Sequence, residues 1–523
     1  MNQFGPGEPG ANEPMQSLNP RAGASAAGRE VELKLAFGSD TARRMADREL
    51  GEAPARMVET IYFDTPKHRL RAAGCSLRLR RDGDRWLQTV KSGDGVERYE
   101  HERELAGDQL DLAMLAGTPI AGVIGDGRDL APLFLTRVSR RTVERQTARS
   151  RVELSLDVGE LVVRDHAWPI LELELELKSG RRDALFAQAR RLAKRAAFTP
   201  AFESKAERGY ALAGGVLGRP AKFEPRPLHG DMSAAQAFQA LAQGCLRQLA
   251  INAALIAGEA RIEAVHQARV ALRRLRVAMG LFAPLLAGGP AIAVERELVW
   301  LTVELADARN LDVFINDTFL PAAEDLADRF ASVGLEQALL AAQEVAYARA
   351  TAAVGSARFR LLLLDAAAWI DGVGSGRAAP GAAAPLRRFA SDALDQRRRV
   401  LRRRVRGLDW SDPIAGHKLR IQAKKMRYAS EFFSDLARGG DERCYDAFIA
   451  GLERVQSKLG RLNDISVGEQ TVLKALEGMA EGPPTPVSYV AGLIIGKSQG
   501  QAPRLIKSAK RRCRDLLKCK VWW

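Results

Sequence analysis

The sequence predicts a multidomain α+β protein, with a β-rich front part and an all-helical back part. Two observations lead to this prediction. From residue 29 to about residue 217, polar and apolar residues mostly alternate, which is the period of β-strands. After a Gly- and Pro-rich segment at 214–231, apolar residues recur with the helical period, in long stretches rich in Ala and Leu.

Composition indicates an anionic partner for the helical part. The 523 residues include 79 Lys and Arg against 64 Asp and Glu, a net charge of +15, and most of this excess lies in residues 228–523. The five cysteines form no CxxC pair, so neither a disulfide framework nor a zinc site is predicted. No run of about 18 apolar residues occurs. We therefore expect a cytoplasmic protein without a membrane span.

Composition also sets the expected domain boundaries. Residues 1–28, rich in Gly, Ala, Pro and Asn, predict a disordered leader. We expect a β-rich domain at 29–217, a linker at 218–230 and a helical domain at 231–523. A second Gly- and Ala-rich segment at 372–385 divides the helical domain into two halves.

Charged residues line one face of several predicted strands. Acids and bases alternate with Val, Leu or other residues in EVELK (30–34), SLRLRR (76–81), RYEHERE (98–104), RVELSLDV (151–158) and ILELELELK (170–178). One such strand would be read as a solvated sheet face, but five favour a closed sheet with a polar lumen and leucines packed outward under helices. Crowded carboxylates repel one another unless cations balance them, which suits a metal-bound oligophosphate. Oxygen ligands select Mg²⁺ or Mn²⁺, and arginine forks bind phosphate oxygens in pairs.

Six short motifs follow one another along the front part: ExExK at 30–34, YFDT at 62–65, LRLR at 77–80, TVK at 89–91, LELELEL at 171–177 and SKAERGY at 204–210. In kind and in order they resemble the motifs of the CYTH family, the triphosphate tunnel metalloenzymes. The resemblance covers about residues 29–217. It implies an eight-stranded antiparallel β tunnel with flanking helices.

The resemblance also implies a role for each matching side chain. The metal ion, Mg²⁺ or Mn²⁺, would be held by Glu30, Glu32, Asp157, Glu172 and Glu174. The phosphates of inorganic tripolyphosphate would be clamped by Arg78, Arg80, Lys91, Arg140 and Lys205. Lys34 would orient or activate the attacking water, and with Glu30 and Glu32 it forms the expected catalytic set.

The helical part carries a basic stripe that occurs twice. At the spacing of one helix face, His and basic residues recur in HQARVALRRLRVAM (266–279) and, 151 positions later, in HKLRIQAKKMRYAS (417–430). The two stripes are His266, Arg269, Arg273 and Arg276, and His417, Arg420, Lys424 and Arg427. Arg274 and Lys425 lie beside them, at the expected rim. Because stacked like charges repel in an isolated helix, two copies predict one polyanion that binds across both.

Residues 228–523 resemble the CHAD family, helical domains that bind inorganic polyphosphate. The two stripes match its paired motif, and LADARNLDVF (305–314) and KLGRLNDISV (458–467) match the motif that follows in each half. We expect the polar residues of these segments to brace the stripes: Asn310, Asp312, Asn463 and Asp464. The run RRRVLRRRVR (397–406) lacks the histidine spacing and predicts a solvated face or rim. The two-domain arrangement resembles bacterial inorganic triphosphatases.

The favoured function is metal-dependent hydrolysis of inorganic tripolyphosphate, with long-chain polyphosphate bound by the helical domain and the protein associated with polyphosphate granules. Three alternatives stay open: a polyphosphate-binding or granule-targeting protein with an inactive tunnel, a nucleotide cyclase, and a nucleic-acid-binding protein. The last is disfavoured because aromatic residues, which stack on bases, make up only 6% of the chain and do not interleave the stripes.

Overall fold

A computed structural model of the protein describes residues 29–523, apart from 39, 94–96, 128, 225, 260, 287, 325–328, 376–383, 438–440 and 480–481. The predicted leader at 1–28 lies outside these residues, as does most of the expected boundary between the helical halves. The chain divides into two compact units. The first comprises Met1–Glu32, Leu50–Gly180 and Ser204–Gly215, and the second comprises Leu33–Glu49, Arg181–Glu203 and Val216–Trp523.

The first unit is built on a closed sheet. Its strands are β1 (Arg29–Ala36), β2 (Arg56–Asp64), β3 (Cys75–Asp82), β4 (Arg85–Ser92), β5 (Glu97–Leu105), β6 (Ala131–Thr147), β7 (Ser150–Val163) and β8 (His166–Gly180). They neighbour one another in the order β5-β4-β3-β2-β6-β7-β8-β1, and an antiparallel pairing of β5 with β1 closes the ring. The predicted tunnel of eight strands is confirmed.

A ninth, short strand departs from the predicted count. β9 (Thr199–Ala201) pairs with the second half of β1, where Lys34 lies opposite Ala201. Both of these segments group with the second unit. The three-residue strand has too little periodicity to be recognised from sequence.

Apolar side chains on the outer face of the sheet pack under short helices, as the sequence predicts. Leu77 of β3 and Val90 of β4 are buried against Leu70 of α2 (Arg69–Ala72) and Ile124 of α3 (Ala121–Ile124). The first helix of the chain, α1 (Asp40–Leu50), precedes both of these helices. The charged residues that alternate with the apolar side chains of the sheet therefore face the lumen.

The second unit is helical. After α4 (Arg182–Arg195) and the first unit's α5 (Lys205–Ala213), its helices are α6 (Ala234–Leu255), α7 (Arg261–Leu281), α8 (Gly289–Glu304), α9 (Ala306–Phe314), α10 (Leu320–Ala323), α11 (Arg329–Gly355), α12 (Ala357–Ser375), α13 (Leu386–Arg406), α14 (Pro413–Phe432), α15 (Glu442–Glu477), α16 (Thr485–Gln499) and α17 (Ala502–Lys518). Within the described residues, no helix combines the length and apolar character needed to cross a membrane.

The division into units differs from the expected boundary at residue 217. α4 lies before that boundary but groups with the second unit, because its apolar face is buried and its charges meet α12. Arg182 pairs with Asp371 at 3.0 Å, and Arg190 pairs with Asp365 at 2.6 Å. The grouping of α4 with the second unit depends on packing between segments far apart in the chain, which no local sequence pattern predicts.

Candidate functional site

One wall of the tunnel carries a group of buried acids. The strand register sets Arg140 of β6 beside Asp157 of β7, and Asp157 beside Glu172 of β8, so the three side chains share the lumen face. Glu174 lies two residues further along β8 on the same face. Asp157 and Glu172 are both 0% exposed, so their charges need partners inside the protein.

Three cations balance these acids. Arg140 donates hydrogen bonds to Asp157 at 2.6 Å and to Glu174 at 2.7 Å. The Nζ of Lys205 lies 2.7 Å from Asp157 and 2.8 Å from Glu174, and it also contacts Glu172. Arg208 contacts the second oxygen of Glu172. The acids and bases predicted from separate motifs therefore meet at one place.

The pKa values of this group follow from its ion pairs. Burial alone would raise the pKa of Asp157, but Lys205 and Arg140 bring it below its ordinary value. Burial alone would lower the pKa of Arg140, yet Glu174 and Asp157 raise it well above its ordinary value, with a contribution from Glu32. Asp157 and Arg140 are therefore both charged at neutral pH.

α5 delivers Lys205 to the acids. The helix begins with a capping box in which the Ser204 hydroxyl accepts from the Glu207 amide and Glu207 accepts from the Ser204 amide. Gly209 allows close approach to the sheet, because a β-carbon there would lie 2.2 Å from the ring of Phe134. The SKAERGY motif therefore fixes the position of Lys205 in the lumen.

The second wall is predominantly basic. Arg78 and Lys91 contact Glu100 at 3.3 and 3.2 Å. Arg80 lies 3.9 Å from Glu102, a longer contact. Burial, followed by repulsion from Arg78 and from Arg140 on the other wall, lowers the pKa of Arg80. The cations of both walls therefore face one space, which suits the oxygens of a phosphate chain.

The acids fit a hard divalent cation. One carboxylate oxygen from each of Asp157, Glu172 and Glu174 can be chosen so that all three lie within 4.8 Å of one another. Such an all-oxygen donor set suits Mg²⁺ or Mn²⁺. Glu32 acts electrostatically on Arg140 and so faces the same group.

Two other predicted tunnel residues have less structural support. The backbone of Glu30 pairs with Arg98 of β5, but its side chain lies outside the described part of the structure. Lys34 is buried in the second half of β1, opposite Ala201. The roles of Glu30 in metal binding and of Lys34 in activating water stay predictions.

The structure adds two residues to the predicted set. Arg208 contacts Glu172, although the sequence argument took only Lys205 from that motif. Asp64, from the YFDT motif, accepts a hydrogen bond from the Tyr210 hydroxyl at 2.7 Å and from the Leu70 amide at 2.9 Å. It therefore ties α5 and the start of α2 to β2. Both residues belong to motifs recognised in the sequence, but only the structure shows which residues they contact.

The two basic stripes lie on α7 and α14 and come together in the second unit. Electrostatic repulsion links Arg273 to His266, Arg269, Arg420 and Lys424, and links Arg309 of α9 to His266 and Arg269. We call these six residues the central cluster: His266, Arg269, Arg273, Arg309, Arg420 and Lys424. Arg309 was missed because its segment predicted only bracing residues.

Repulsion outweighs attraction in the central cluster. Burial, together with Arg273 and Arg420, lowers the pKa of Lys424 to about 6. Burial, together with Arg273 and Arg309, lowers the pKa of Arg269 to about 10. Asp464 lies 4.0 Å from Arg420. A half-buried cluster of cations whose mutual repulsion lowers their pKa values is the environment expected for an anion site.

The remaining stripe residues are placed differently. Arg274 and Arg427 both pair with Glu431, at 2.7 and 3.2 Å, so they act as structural ion pairs rather than as part of the central cluster. His417 is exposed and hydrogen-bonds Asn463 at 2.6 Å, as expected for a bracing residue. Asp312 accepts hydrogen bonds from Gln343 and Tyr347 of α11 instead of bracing a stripe.

The fold and these two sites define a class of protein: a closed β tunnel with a charged lumen, joined in one chain to a helical unit with a paired basic cluster. Residues 28–210 match the family model of the CYTH domain, and residues 240–473 match that of the CHAD domain. The chain thus contains a CYTH domain followed by a CHAD domain.

Known proteins similar to this chain include one curated relative and several solved structures. The inorganic triphosphatase of Haemophilus influenzae is 27% identical over 192 residues, covering 35% of this chain and 54% of the relative, so the chain spans about half the length of that protein. The CHAD domain from the plant Ricinus communis is 25% identical, with 56% of this chain and 96% of that chain covered and a TM-score of 0.47. The Hippeastrum protein HpAC1, described as having a dominant triphosphatase activity, is 16% identical, with 36% and 96% covered and a TM-score of 0.27.

Proposed function

We propose that the tunnel hydrolyses inorganic tripolyphosphate with the help of a divalent metal ion, and that the helical unit binds long-chain polyphosphate. The observation that carries the first part is the opposition of the two walls. Buried acids of β7 and β8 lie with Arg140 of β6 on one wall, and arginines of β3 lie on the other, so a single guest in the lumen must satisfy both signs of charge. A metal-bound oligophosphate does so.

In this mechanism the protein acts by positioning and charge. Asp157, Glu172 and Glu174, with Glu30 and Glu32, would hold Mg²⁺ or Mn²⁺, which when bound supplies charge neutralisation on phosphate oxygens. The cations that would hold the phosphate chain in line are Arg78, Arg80, Lys91, Arg140 and Lys205. Because phosphoryl transfer passes through a loose transition state, such fixed charges provide most of the catalysis. Lys34 is the proposed residue that orients the attacking water.

A phosphate-release assay with tripolyphosphate and Mg²⁺ tests the activity. Glu172→Gln and Arg80→Gln should each lower turnover by about two orders of magnitude, since each removes a charge fixed at the reacting chain. Arg137→Gln is the matched control: it also lies on β6, but it is exposed and pairs with Glu59 at 2.9 Å on the outer face. Excess chelator should abolish turnover.

The competing functions give different outcomes in the same assay. An inactive tunnel would release no phosphate from tripolyphosphate, longer polyphosphate or ATP with either metal. A nucleotide cyclase would convert ATP to a cyclic product. Phosphate release that persists unchanged in Glu172→Gln would refute the proposed site.

The second part of the proposal rests on the central cluster. Long-chain polyphosphate carries a negative charge on every unit, and its counterions are released when it meets such a cluster, as for nucleic acids. Arg273→Gln with Lys424→Gln should reduce polyphosphate binding at least tenfold while tripolyphosphate turnover stays near that of the wild type. Lys418→Gln, exposed on the same α14, is the control. Competition by RNA at matched salt would test the nucleic-acid alternative. Through this binding the protein would associate with polyphosphate granules.

A further inference from the structure

The residues beside the two basic stripes can be compared position by position. At the same offset of 151 positions that relates His266 to His417, Gly280 at the end of α7 corresponds to Glu431 at the end of α14. The two halves of the helical unit therefore differ by one acid at an equivalent place.

In one half, that acid, Glu431, neutralises one arginine of a stripe and one beside the stripes. Glu431 pairs with Arg274 at 2.7 Å and with Arg427 at 3.2 Å, and Arg427 also lies 3.7 Å from Glu453. The guanidinium of Arg274 additionally stacks over Phe223, 4.7 Å from the ring centre. These arginines hold helices together, and little of their charge is left for a ligand.

In the other half, the equivalent place holds an extra cation. Gly280 has no side chain, and a β-carbon there would lie 3.4 Å from the Nη2 of Arg397 on α13. Arg397 lies near Lys425 and so does Arg276, since repulsion from both contributes, after burial, to a lowered pKa of Lys425. We call Arg276, Lys425 and Arg397 the open-end cluster.

The open-end cluster has no neutralising partner of its own. Within the described residues, none of its three members forms an ion pair with a carboxylate, and the acid that acts on Lys425 is Glu295, exposed on α8. The Nε of Arg276 is buried without a hydrogen-bond partner. Three half-buried cations without an ion pair cost stability unless an anion offsets their repulsion.

The position of Arg397 is fixed by neighbouring contacts on α13. Asp395 accepts a hydrogen bond from the Trp523 indole at 2.9 Å, and Arg398 donates to the Cys519 carbonyl at 3.0 Å. The sequence predicted that the run 397–406 is a solvated face, and Arg399, Arg402 and Arg403 are indeed exposed. Arg397 is half-buried instead, because this anchored helix turns it toward α7 and α14.

We propose that Arg276, Lys425 and Arg397 form a second phosphate subsite, which extends the path of bound polyphosphate from the central cluster toward Gly280 and not toward Glu431. This inference rests on the proposed polyphosphate binding of the helical unit. Arg276 lies three residues beyond Arg273 on α7, about 4.5 Å along the axis, so a phosphate chain in the central cluster reaches it with a few further units.

Direct binding of inorganic polyphosphate to the full chain tests the subsite. Two variants attack it independently: Arg397→Gln removes a cation, and Gly280→Glu supplies the acid that the other half already has. Each should weaken binding of a long-chain fraction about five- to tenfold and reduce the slope of log affinity against log salt by about 0.7–0.9. Binding of short oligophosphates, which the central cluster alone accommodates, should change less than about twofold.

Matched controls separate charge from bulk. Gly280→Gln has the size of the glutamate without its charge, and Arg399→Gln removes an exposed arginine from the same helix. Both should bind like the wild type. Circular dichroism checks that each variant is folded, and if Gly280→Glu is not, Arg397→Gln decides alone.

The outcomes distinguish this inference from the function on which it rests. If Arg273→Gln abolishes binding while Arg397→Gln and folded Gly280→Glu bind long chains like the wild type, the open-end subsite is refuted and polyphosphate binding stands. If the wild type does not bind polyphosphate, or if Arg273→Gln binds normally, the proposed function itself fails. Equal losses for long and short chains also contradict the subsite, because they place Arg397 within the central cluster.

Discussion

Polyphosphate binding should take up a proton at Lys424. Burial and the neighbouring Arg273 and Arg420 lower the pKa of this lysine to about 6, so at pH 7.5 only about 3% of the free protein carries the charge. A bound phosphate restores the charge, because an adjacent anion raises a lysine pKa. Binding above pH 6 is therefore coupled to uptake of close to one proton, and affinity should fall about tenfold for each pH unit.

Calorimetric titrations in buffers of different ionisation enthalpy measure this uptake directly. Lys424→Arg is the informative variant, since arginine stays charged and should flatten the pH dependence while retaining binding. His266, whose pKa is also lowered by burial and by Arg309, contributes a smaller uptake that persists in this variant. Polyphosphate affinity that is constant from pH 6.5 to pH 8.5, with no proton uptake, would refute the reasoning.

The folding stability of the free protein depends on pH in the opposite sense to its affinity for polyphosphate. Because the folded-state pKa of Lys424 lies below that of the unfolded chain, the unfolded state binds the extra proton, and stability falls as the pH falls toward 6. Replacing the lysine by methionine should therefore stabilise the unliganded protein, by about 1–3 kcal/mol, while weakening polyphosphate binding. Urea unfolding at two pH values measures this.

Three further predictions concern packing and charge. Gly209→Ala should lower triphosphatase turnover more than tenfold, since its β-carbon meets Phe134 at 2.2 Å and must displace the helix that carries Lys205. Tyr210→Phe should reduce the free energy of unfolding by about 1.5–3 kcal/mol, because its hydroxyl bonds a buried carboxylate. Glu431→Gln should strengthen binding of long polyphosphate several-fold, because two arginines lose their shared partner.

Each of these has a clear contrary result. Gly107→Ala, where a β-carbon meets no atom within 4 Å, is the control for Gly209→Ala, and equal turnover of the two variants contradicts the role given to α5. Thermal unfolding of Tyr210→Phe at the wild-type temperature would show that the bond to Asp64 contributes nothing. Unchanged binding by Glu431→Gln would mean that the rim arginines do not reach the ligand even when freed.

Local periodicity was sufficient to predict which residues share a face of the tunnel. Alternation placed Glu172 and Glu174 on one side of their strand and the leucines on the other, and the closed sheet confirms the arrangement. The family resemblance suggested Arg140, and the structure shows Arg140 at the acids, whereas its neighbour Arg141 donates to the backbone carbonyls of Gly51 and Ala53. A residue's face follows from a period of two, so sequence suffices for it.

Long-range packing was not predictable in the same way. The grouping of α4 with the second unit depends on partners almost 190 positions away, such as Asp371 for Arg182. The partial burial of Arg397 depends on contacts that hold α13, including the hydrogen bond from Trp523 to Asp395. Neither leaves a periodic signal near the residue itself, since both arise from how distant helices meet.

An excess of cations in the central cluster has a practical consequence for anyone who isolates this protein. A cell extract contains many kinds of anion, and the positive electrostatic potential of the cluster attracts all of them without selecting one. Such guests leave when the ionic strength rises, because their retention depends on counterion release. A preparation washed only at low salt would keep a mixture of bound anions. The polyphosphate affinity measured with it would then describe the displacement of these anions rather than binding to an unoccupied cluster.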